Sequence, residues 1–423
     1  MIRPSGPTLN RRTLLGGAAA AVGAGLVWGT PGTAVAGQRG APIGQQAVDA
    51  EAARLEKELV ALRRDIHAHP EAPGQEQRTA SVVARRLRAA GLDVTTGVGG
   101  GHGVVGVLRG ARPGRTVAYR ADMDAVPPGD IRGGGTAAAH VCGHDLHTTM
   151  GIGIAQVLAR LRHRLSGTVV FLFQPAEESL AGARAMIDAG ALARHGVEEI
   201  HALHCGPFPV GQFAVTPGTG LPGQDHAQIT VRTQDDARQL AADLGALATV
   251  QPPGTTAELE QLVTDIQTPD GPLARFVAVR ATAQDTGVRV SSRCWPPEDY
   301  ARVRGEVRRL ARARAGSEVT YPGAPFPAMV CPERDADALA RRLRRTLGRN
   351  AVTTLQAAIP FSGEDFSLYL QRVPGTFTFL GVRAPGASVT TAYPHYPDFA
   401  PDERAIALGV RGMAGWLAER TRG

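Results

Sequence analysis

The sequence predicts an α/β fold: a mixed, largely parallel sheet sandwiched by helices, with a smaller α+β domain inserted into it. Three observations carry this expectation. Apolar runs that read as buried strands alternate with helical patterns, as they do where parallel strands are joined by helical crossovers. A Gly/Pro stretch, Thr216-Pro217-Gly218-Thr219-Gly220-Leu221-Pro222-Gly223, interrupts that alternation near the middle of the chain. Beyond it the order changes to strand, helix, helix, strand, strand, helix, which suits a small α+β unit.

In chain order, residues 1–36 stand apart. Asn10-Arg11-Arg12-Thr13-Leu14-Leu15 is a twin-arginine start, a Gly/Ala-rich apolar run from Leu14 to Trp28 follows, and Ala34-Val35-Ala36 offers a cleavage site. The run is too short and too rich in glycine to span a bilayer, so no stable membrane anchor is expected. The mature chain is expected to be exported, periplasmic or extracellular, by the twin-arginine route. Residues 47–70 read as a helix with Leu55, Leu59, Leu62 and Ile66 at helical spacing, and 77–90 as another, ended by Gly91. Strands at 115–119, 167–173 and 199–203 follow, with a helix after the first carrying Met150, Ile154, Val157, Leu158 and Leu161 on its apolar face. The inserted part shows strands at 227–231, 275–282 and 287–294, a helix at 236–247, and a long helix from Pro297. The closing part holds a helix at 335–347 and a strand at 375–381. The expected divisions are therefore 1–36 (signal peptide), 37–223 and 316–423 (two halves of the larger domain) and 224–315 (the insertion).

Length and charge bound the reading further. A chain of 423 residues can bury two substantial cores. The formal net charge is +7, and the leader carries Arg3, Arg11 and Arg12 with no acids, so the mature chain keeps 7 − 3 = +4. The basic run Arg341-Arg342-Leu343-Arg344-Arg345 lies on a helical pattern without interleaved aromatics, so it reads as a solvated face and no nucleic-acid partner is expected. Of the four cysteines, Cys294 and Cys331 are the pair left for a disulfide, and spacing alone cannot decide whether they form one.

The chemistry concentrates in Ala139-His140-Val141-Cys142-Gly143-His144-Asp145-Leu146-His147-Thr148. Cys142 and His144 are two apart, a spacing that suits a loop entering a helix better than one helical face. A thiolate beside imidazole, with carboxylates near, describes a site for zinc or a similar divalent ion; a structural zinc or a free buried cysteine is the plainer alternative. Other candidate ligands fall just past apolar runs. The run at 115–119 leads to Asp122 and Asp124, that at 167–173 to Glu177 and Glu178, and that at 199–203 delivers His204. Open α/β sheets bind ligands beyond the carboxyl ends of their strands, so these segments are expected to converge. His395 follows the last strand and could return to the same pole.

These pieces resemble the aminoacylase/carboxypeptidase-like metallohydrolases, and more closely their amidohydrolase branch of hippurate and indole-acetyl-amino-acid hydrolases. The matching segments are Leu62 to Glu71, Arg120-Ala121-Asp122-Met123-Asp124-Ala125-Val126-Pro127, the Cys142 segment, Gln174-Pro175-Ala176-Glu177-Glu178, His204, Ser362-Gly363-Glu364-Asp365-Phe366-Ser367, and His395. The resemblance implies that Cys142, His144, Glu178, His204 and His395 bind one or two divalent ions, zinc or manganese. It implies that Glu177 is the general base, and that His147 and Asp122 support the ligands or the helix start. The implied reaction is hydrolysis of an N-acyl amino acid or similar small amide, with dipeptidase or carboxypeptidase activity as the alternative using the same chemistry. It allows a homodimer through the inserted domain, which the family uses as a lid.

The chain departs from the pattern in that insertion. Asp225-His226-Ala227-Gln228-Ile229-Thr230-Val231 runs straight into Arg232-Thr233-Gln234, without the family's Gly-Gly-His, and no Asn-x-x-Pro precedes Gly287. Losing one transition-state donor can cost on the order of 10²–10³ in rate. Weak turnover of ordinary N-acyl amino acids is therefore expected, and a metal-binding protein without catalysis is the other outcome this departure allows.

Overall fold

The computed structural model describes residues 41–422; the expected leader lies outside them. Helices α1 (Gln45–His67) and α2 (Gln77–Ala89) lead into strands β1 (Asp93–Val98), β2 (Gly103–Arg109) and β3 (Arg112–Asp122). Then come α3 (His144–Arg160), β4 (Ser166–Gln174), α4 (Gly182–Asp188), β5 (Glu199–Pro209), β6 (Phe213–Val215) and β7 (Gly220–Leu221). The inserted part is β8 (Asp225–Thr230), α5 (Gln234–Gly245), α6 (Thr256–Asp265), β9 (Phe276–Gln284), β10 (Gly287–Trp295), α7 (Asp299–Arg312) and β11 (Glu318–Thr320). The chain returns through β12 (Met329–Val330), α8 (Glu333–Leu347), β13 (Val352–Thr354), α9 (Ser367–Leu370), β14 (Gly375–Arg383) and α10 (Arg404–Arg420). No helix among the described residues is long and apolar enough to cross a membrane.

The main sheet has the order β1-β2-β4-β3-β5-β14-β6-β13. Its four central strands, β4, β3, β5 and β14, run parallel, while β1, β2 and β6 pair antiparallel at the flanks. Central parallel strands need cover on both faces, and β5 is accordingly buried along nearly its whole length. Helices α1, α2, α3 and α10 cover one face. In α1 the apolar positions Val48, Ala52, Leu55, Leu59, Leu62 and Ile66 recur at three- and four-residue steps, and all are buried. Helix α3 lies between α1, α10 and the sheet, so it is buried on every side from His144 to Ala155.

The insertion departs from its expected outline. Its own sheet, β11-β8-β10-β9, runs five residues past the expected end at 315, because Glu318–Thr320 pairs with the outer edge of β8. Helices α5 and α7 cover one side of that sheet, over Ala227, Ile229, Val288 and Val290. Helix α6 does not join them. Its Leu259, Leu262, Val263 and the following Ile266 pack into the second core of the larger domain, with Leu355, Phe377 and Phe379. Arg383 holds Glu260 at 2.9 Å, and the backbone of Gln356 donates to the carbonyl of Ile266 at 2.8 Å.

The Gly/Pro stretch that marks the start of the insertion is buried and paired. β7 runs antiparallel to β12, so the outgoing and returning crossings form one ribbon, and Leu221, Pro222 and Gly223 are buried. All four cysteines are free thiols. Cys294 lies in the core of the insertion and Cys331 in the core of the larger domain, so they do not form a disulfide.

Candidate metal centre

Three histidines are oriented alike. Nδ1 of His144 faces the carbonyl of Asp124 at 2.9 Å, that of His204 the carbonyl of Cys205 at 2.8 Å, and that of His395 the carbonyl of Asp130 at 3.0 Å. A carbonyl only accepts, so each Nδ1 carries the hydrogen and each Nε2 presents its lone pair to the site. Cys142 Sγ lies 3.4 Å from His204 Nε2, and Glu178 Oε2 lies 3.4 Å from His395 Nε2. Donor atoms of Cys142, His144 and His204 fall within 4.8 Å of one another, and so do those of Cys142, Glu178 and His395. The structure thus gathers all five candidate ligands, with Cys142 common to two adjoining groups.

His147 is different. Its Nδ1 donates to Asp122 Oδ1 at 2.6 Å and its Nε2 accepts from the backbone of Cys205 at 2.8 Å, so neither nitrogen is left for an ion. It supports the site, as expected, and fixes the backbone between His204 and Cys205. Gly143 makes the entry to α3 feasible: its φ of 90° is left-handed, and an added Cβ would stand 2.6 Å from Cys205 Sγ. Three non-glycine residues also take left-handed backbone here, Ala176 at φ 56°, Leu180 at φ 54° and His395 at φ 67°. Such conformations cost about 1–3 kcal/mol each and cluster at functional sites. Ala176 turns the chain so that Glu177 and Glu178 both enter the pocket. Its amide is held by Glu76 at 2.9 Å and that of Glu178 by Asp124 at 2.9 Å.

The electrostatics divide the two adjacent carboxyls. Burial, and then the nearby Glu364, Glu178 and Asp365, push the Glu177 carboxyl well above its ordinary range. Burial works the same way on Glu178, but His395 and His144 outweigh it and hold that carboxyl low. Burial opposes charge on His144, yet Asp122, Asp124 and Glu178 raise it to about 10. The site therefore favours positive charge at His144 Nε2, and both this atom and Glu178 Oε1 are buried without a hydrogen-bond partner. Burial and the surrounding acids raise the Cys142 thiol far above its usual range. This excess of donor atoms and negative charge around one point is what a divalent cation would satisfy.

Beneath Glu177 sits a buried network that the sequence reading left without a role. Arg120, 1% exposed near the C-terminal end of β3, donates to Gln174 at 3.0 Å, Glu364 at 3.0 Å and Asp365 at 3.1 Å, and contacts Asp122. Burial raises Glu364 to about 8 and Asp365 to about 6, against the pull of Arg120. The segments carrying these residues match the family pattern, which was the signal available for them. Arg293 is the other omission. It lies on β10 and reaches the pocket, donating to the carbonyl of Ser362 and to Gln224 Oε1, both at 3.0 Å. Nothing in its local sequence distinguishes it from the many solvated arginines. His201 bonds Thr376 and packs on Trp416, a structural role, and His140 stacks on His67 away from the ligands.

Cys142, Glu178, His204 and His395 line a cavity of about 570 Å³, walled by Leu221, Ile266, Ile359, Phe361, Phe379 and Tyr393. That size and lining suit a small organic molecule with a few fixed polar contacts.

Comparison with known proteins agrees with this geometry. The sequence model of the peptidase family M20/M25/M40 matches residues 118–419. N-acetylcysteine deacetylase of Bacillus subtilis is 29% identical over 84% of this chain and 95% of its own length. Thermostable carboxypeptidase 1 of Saccharolobus solfataricus is 29% identical over 85% of this chain and 94% of its own. A solved Bacillus subtilis structure, a dinuclear metal-binding peptidase of the M20 family, superposes with a TM-score of 0.66 at 27% identity, covering 88% of this chain and 99% of that one. The match to the family model spans both halves of the larger domain and every residue of the proposed centre, and the chain belongs to peptidase family M20/M25/M40, a family of metal-dependent hydrolases acting on amide bonds.

Proposed function

We propose that this protein hydrolyses the amide of an N-acyl amino acid, with one or two divalent ions, zinc or manganese, held by Cys142, His144, Glu178, His204 and His395. The observation that carries the reading is the convergence of three imidazole Nε2 atoms, one thiol and Glu178 beside a second carboxyl, Glu177. These donors fit such an ion: nitrogen, sulfur and carboxylate oxygen are zinc's ordinary ligands, and two of the atoms are buried without partners. When bound, the ion supplies Lewis acidity to the amide carbonyl and to the attacking water.

The remaining steps belong to the chain's own side chains. Glu177 takes the proton of the attacking water and delivers it to the leaving nitrogen. Its raised proton affinity suits the second half of that task, and Arg120 beneath it stabilises the charged form during the first half. The guanidinium of Arg293, held by two neutral groups, is free to face the carboxylate of the amino-acid portion. The apolar wall of the cavity receives the acyl group. An intact base beside an intact ligand set favours an enzyme over a metal-binding protein without catalysis, since neither constraint would hold Glu177 in place otherwise.

The test is a substrate screen of chelator-treated and metal-reloaded protein against N-acyl amino acids and dipeptides. Hydrolysis of N-acyl amino acids should vanish with the chelator and return with zinc or manganese. Reloaded protein that cleaves only dipeptides would shift the assignment to a dipeptidase, and protein that cleaves neither would overturn it.

A further inference from the structure

One face of the inserted sheet is covered by α5 and α7, and the other looks toward the cavity. The strand register fixes which side chains share that open face. Arg280 on β9 stands opposite Ser291 on β10, and Ser291 stands opposite His226 on β8. Arg293, two residues beyond Ser291, is on the same face, so Arg280 and Arg293 are diagonal neighbours. Such pairs lie about 7–8 Å apart, within reach of one another's long side chains. Both line the cavity that holds Cys142, Glu177 and Glu178.

Neither arginine is neutralised. The contacts of Arg293 are a carbonyl and an amide oxygen. Arg280 is exposed and makes no ion pair or hydrogen bond with the described residues. The acids of the cavity wall are otherwise engaged, with Glu177 and Glu178 at the candidate centre and Glu364 on Arg120. Asp130 is exposed on the far loop, next to Arg132. Arginine presents a planar fork matched to carboxylate, and two guanidinium groups without a carboxylate partner, side by side at one cavity, form a receptor for two anionic groups.

We infer that the preferred substrate is an amide bearing two carboxylates, one seated on Arg293 and the other on Arg280. This rests on the amide-hydrolase reading and narrows its substrate class. The second carboxylate has two sources, a dicarboxylic amino acid as the leaving group or a dicarboxylic acyl group. The inserted domain, which lacks the family's Gly-Gly-His, presents this arginine face to the cavity. Monocarboxylate amides would engage only Arg293, in keeping with the weak turnover expected for ordinary N-acyl amino acids.

Steady-state kinetics of the metal-loaded chain on two matched pairs test this inference. N-acetyl-L-glutamate is compared with N-acetyl-L-glutamine, and N-succinyl-L-alanine with N-butanoyl-L-alanine. At least one diacid should exceed its neutral counterpart about tenfold in kcat/KM, the size expected of one charge-assisted contact at a partly exposed site, and the pair that does so identifies the source. In Arg280→Gln that ratio should fall to within about twofold, Arg280→Lys should restore part of it, and raising the salt should lower it in the wild type. The ratio within each variant is insensitive to how much of it is folded. Calorimetric titration of both diacids and both neutral partners reads the same preference without turnover. Failure to hydrolyse any of the four amides would count against the hydrolase reading while the titrations still decide this one. Equal binding of diacids and neutral partners, or a preference unchanged in Arg280→Gln, would overturn it.

Discussion

At the scale of single residues, three imidazoles are turned toward one point by backbone carbonyls that accept from their Nδ1 hydrogens. Cys142 and His144 stand out by type and spacing, while the choice of Glu178, His204 and His395 among the other candidates came from the family resemblance. The carbonyls that orient the three imidazoles carry no sequence signature, because every residue has one. Arg120 was equally hidden, since a charged residue inside an apolar strand gains its meaning only when Asp122, Gln174, Glu364 and Asp365 close around it. His140 gives a prediction at this scale. It is 2% exposed, neither ring nitrogen has a hydrogen-bond partner, and burial lowers its pKa from 6.5 to about 4. The folded chain therefore binds fewer protons than the unfolded chain between those values. The stability contribution is fully present above pH 6.5 and is lost as pH falls towards 4, up to about 3 kcal/mol. His140→Phe keeps a ring against His67 and removes the titration, so its stability should fall less steeply across that window. Urea unfolding of both proteins at pH 7, 5.5 and 4.5 measures it; parallel slopes would show that His140 is not buried in its neutral form. Asp145, held at about 2 mainly through His67, His140 and Arg63 against the cost of burial, loses its contribution at lower pH and does not confuse the comparison.

At the scale of elements, periodicity located the strands and helices that have one clear apolar face. Helix α1 and strands β3, β4 and β5 appear within a few residues of the expected positions. Failures came where an element's partner is distant in sequence. The stretch at 216–223 reads as a linker because glycine and proline dominate it, but β12, over a hundred residues later, pairs with it. Helix α6 has an ordinary amphipathic pattern, and nothing in it tells which domain receives its apolar side. The structure gives that side to the larger domain, where Leu259 is fully buried. Leu259→Ala should therefore cost about 2–5 kcal/mol, as for other leucines removed from a packed core. A urea midpoint shift measured on the whole chain reads this directly, and a loss under about 0.5 kcal/mol would mean that α6 is not anchored as described. The same packing rules out excising 224–315 cleanly, because the cut would expose Leu355, Phe377 and Phe379.

At the scale of the whole molecule, the α/β class, the largely parallel sheet and the inserted α+β part were legible from the order of elements alone. Four central parallel strands bring the ends of β3 and β4, the body of β5 and the loop after β14 to one pole, which is why ligands as far apart in sequence as Cys142 and His395 meet. The arginine face of the insertion was not legible, because which side chains share a sheet face depends on a register that only pairing fixes. In the proposed reaction Glu177 moves the proton while its neighbour Glu178 helps to hold the ion. This division of roles is tested most directly by measuring metal content and turnover together on Glu177→Gln. Metal content should equal that of the wild type, with turnover of the best accepted amide lowered about 10²–10⁴-fold, the usual contribution of a positioned general base. A variant that keeps its metal and turns over within a few-fold of the wild type would contradict it.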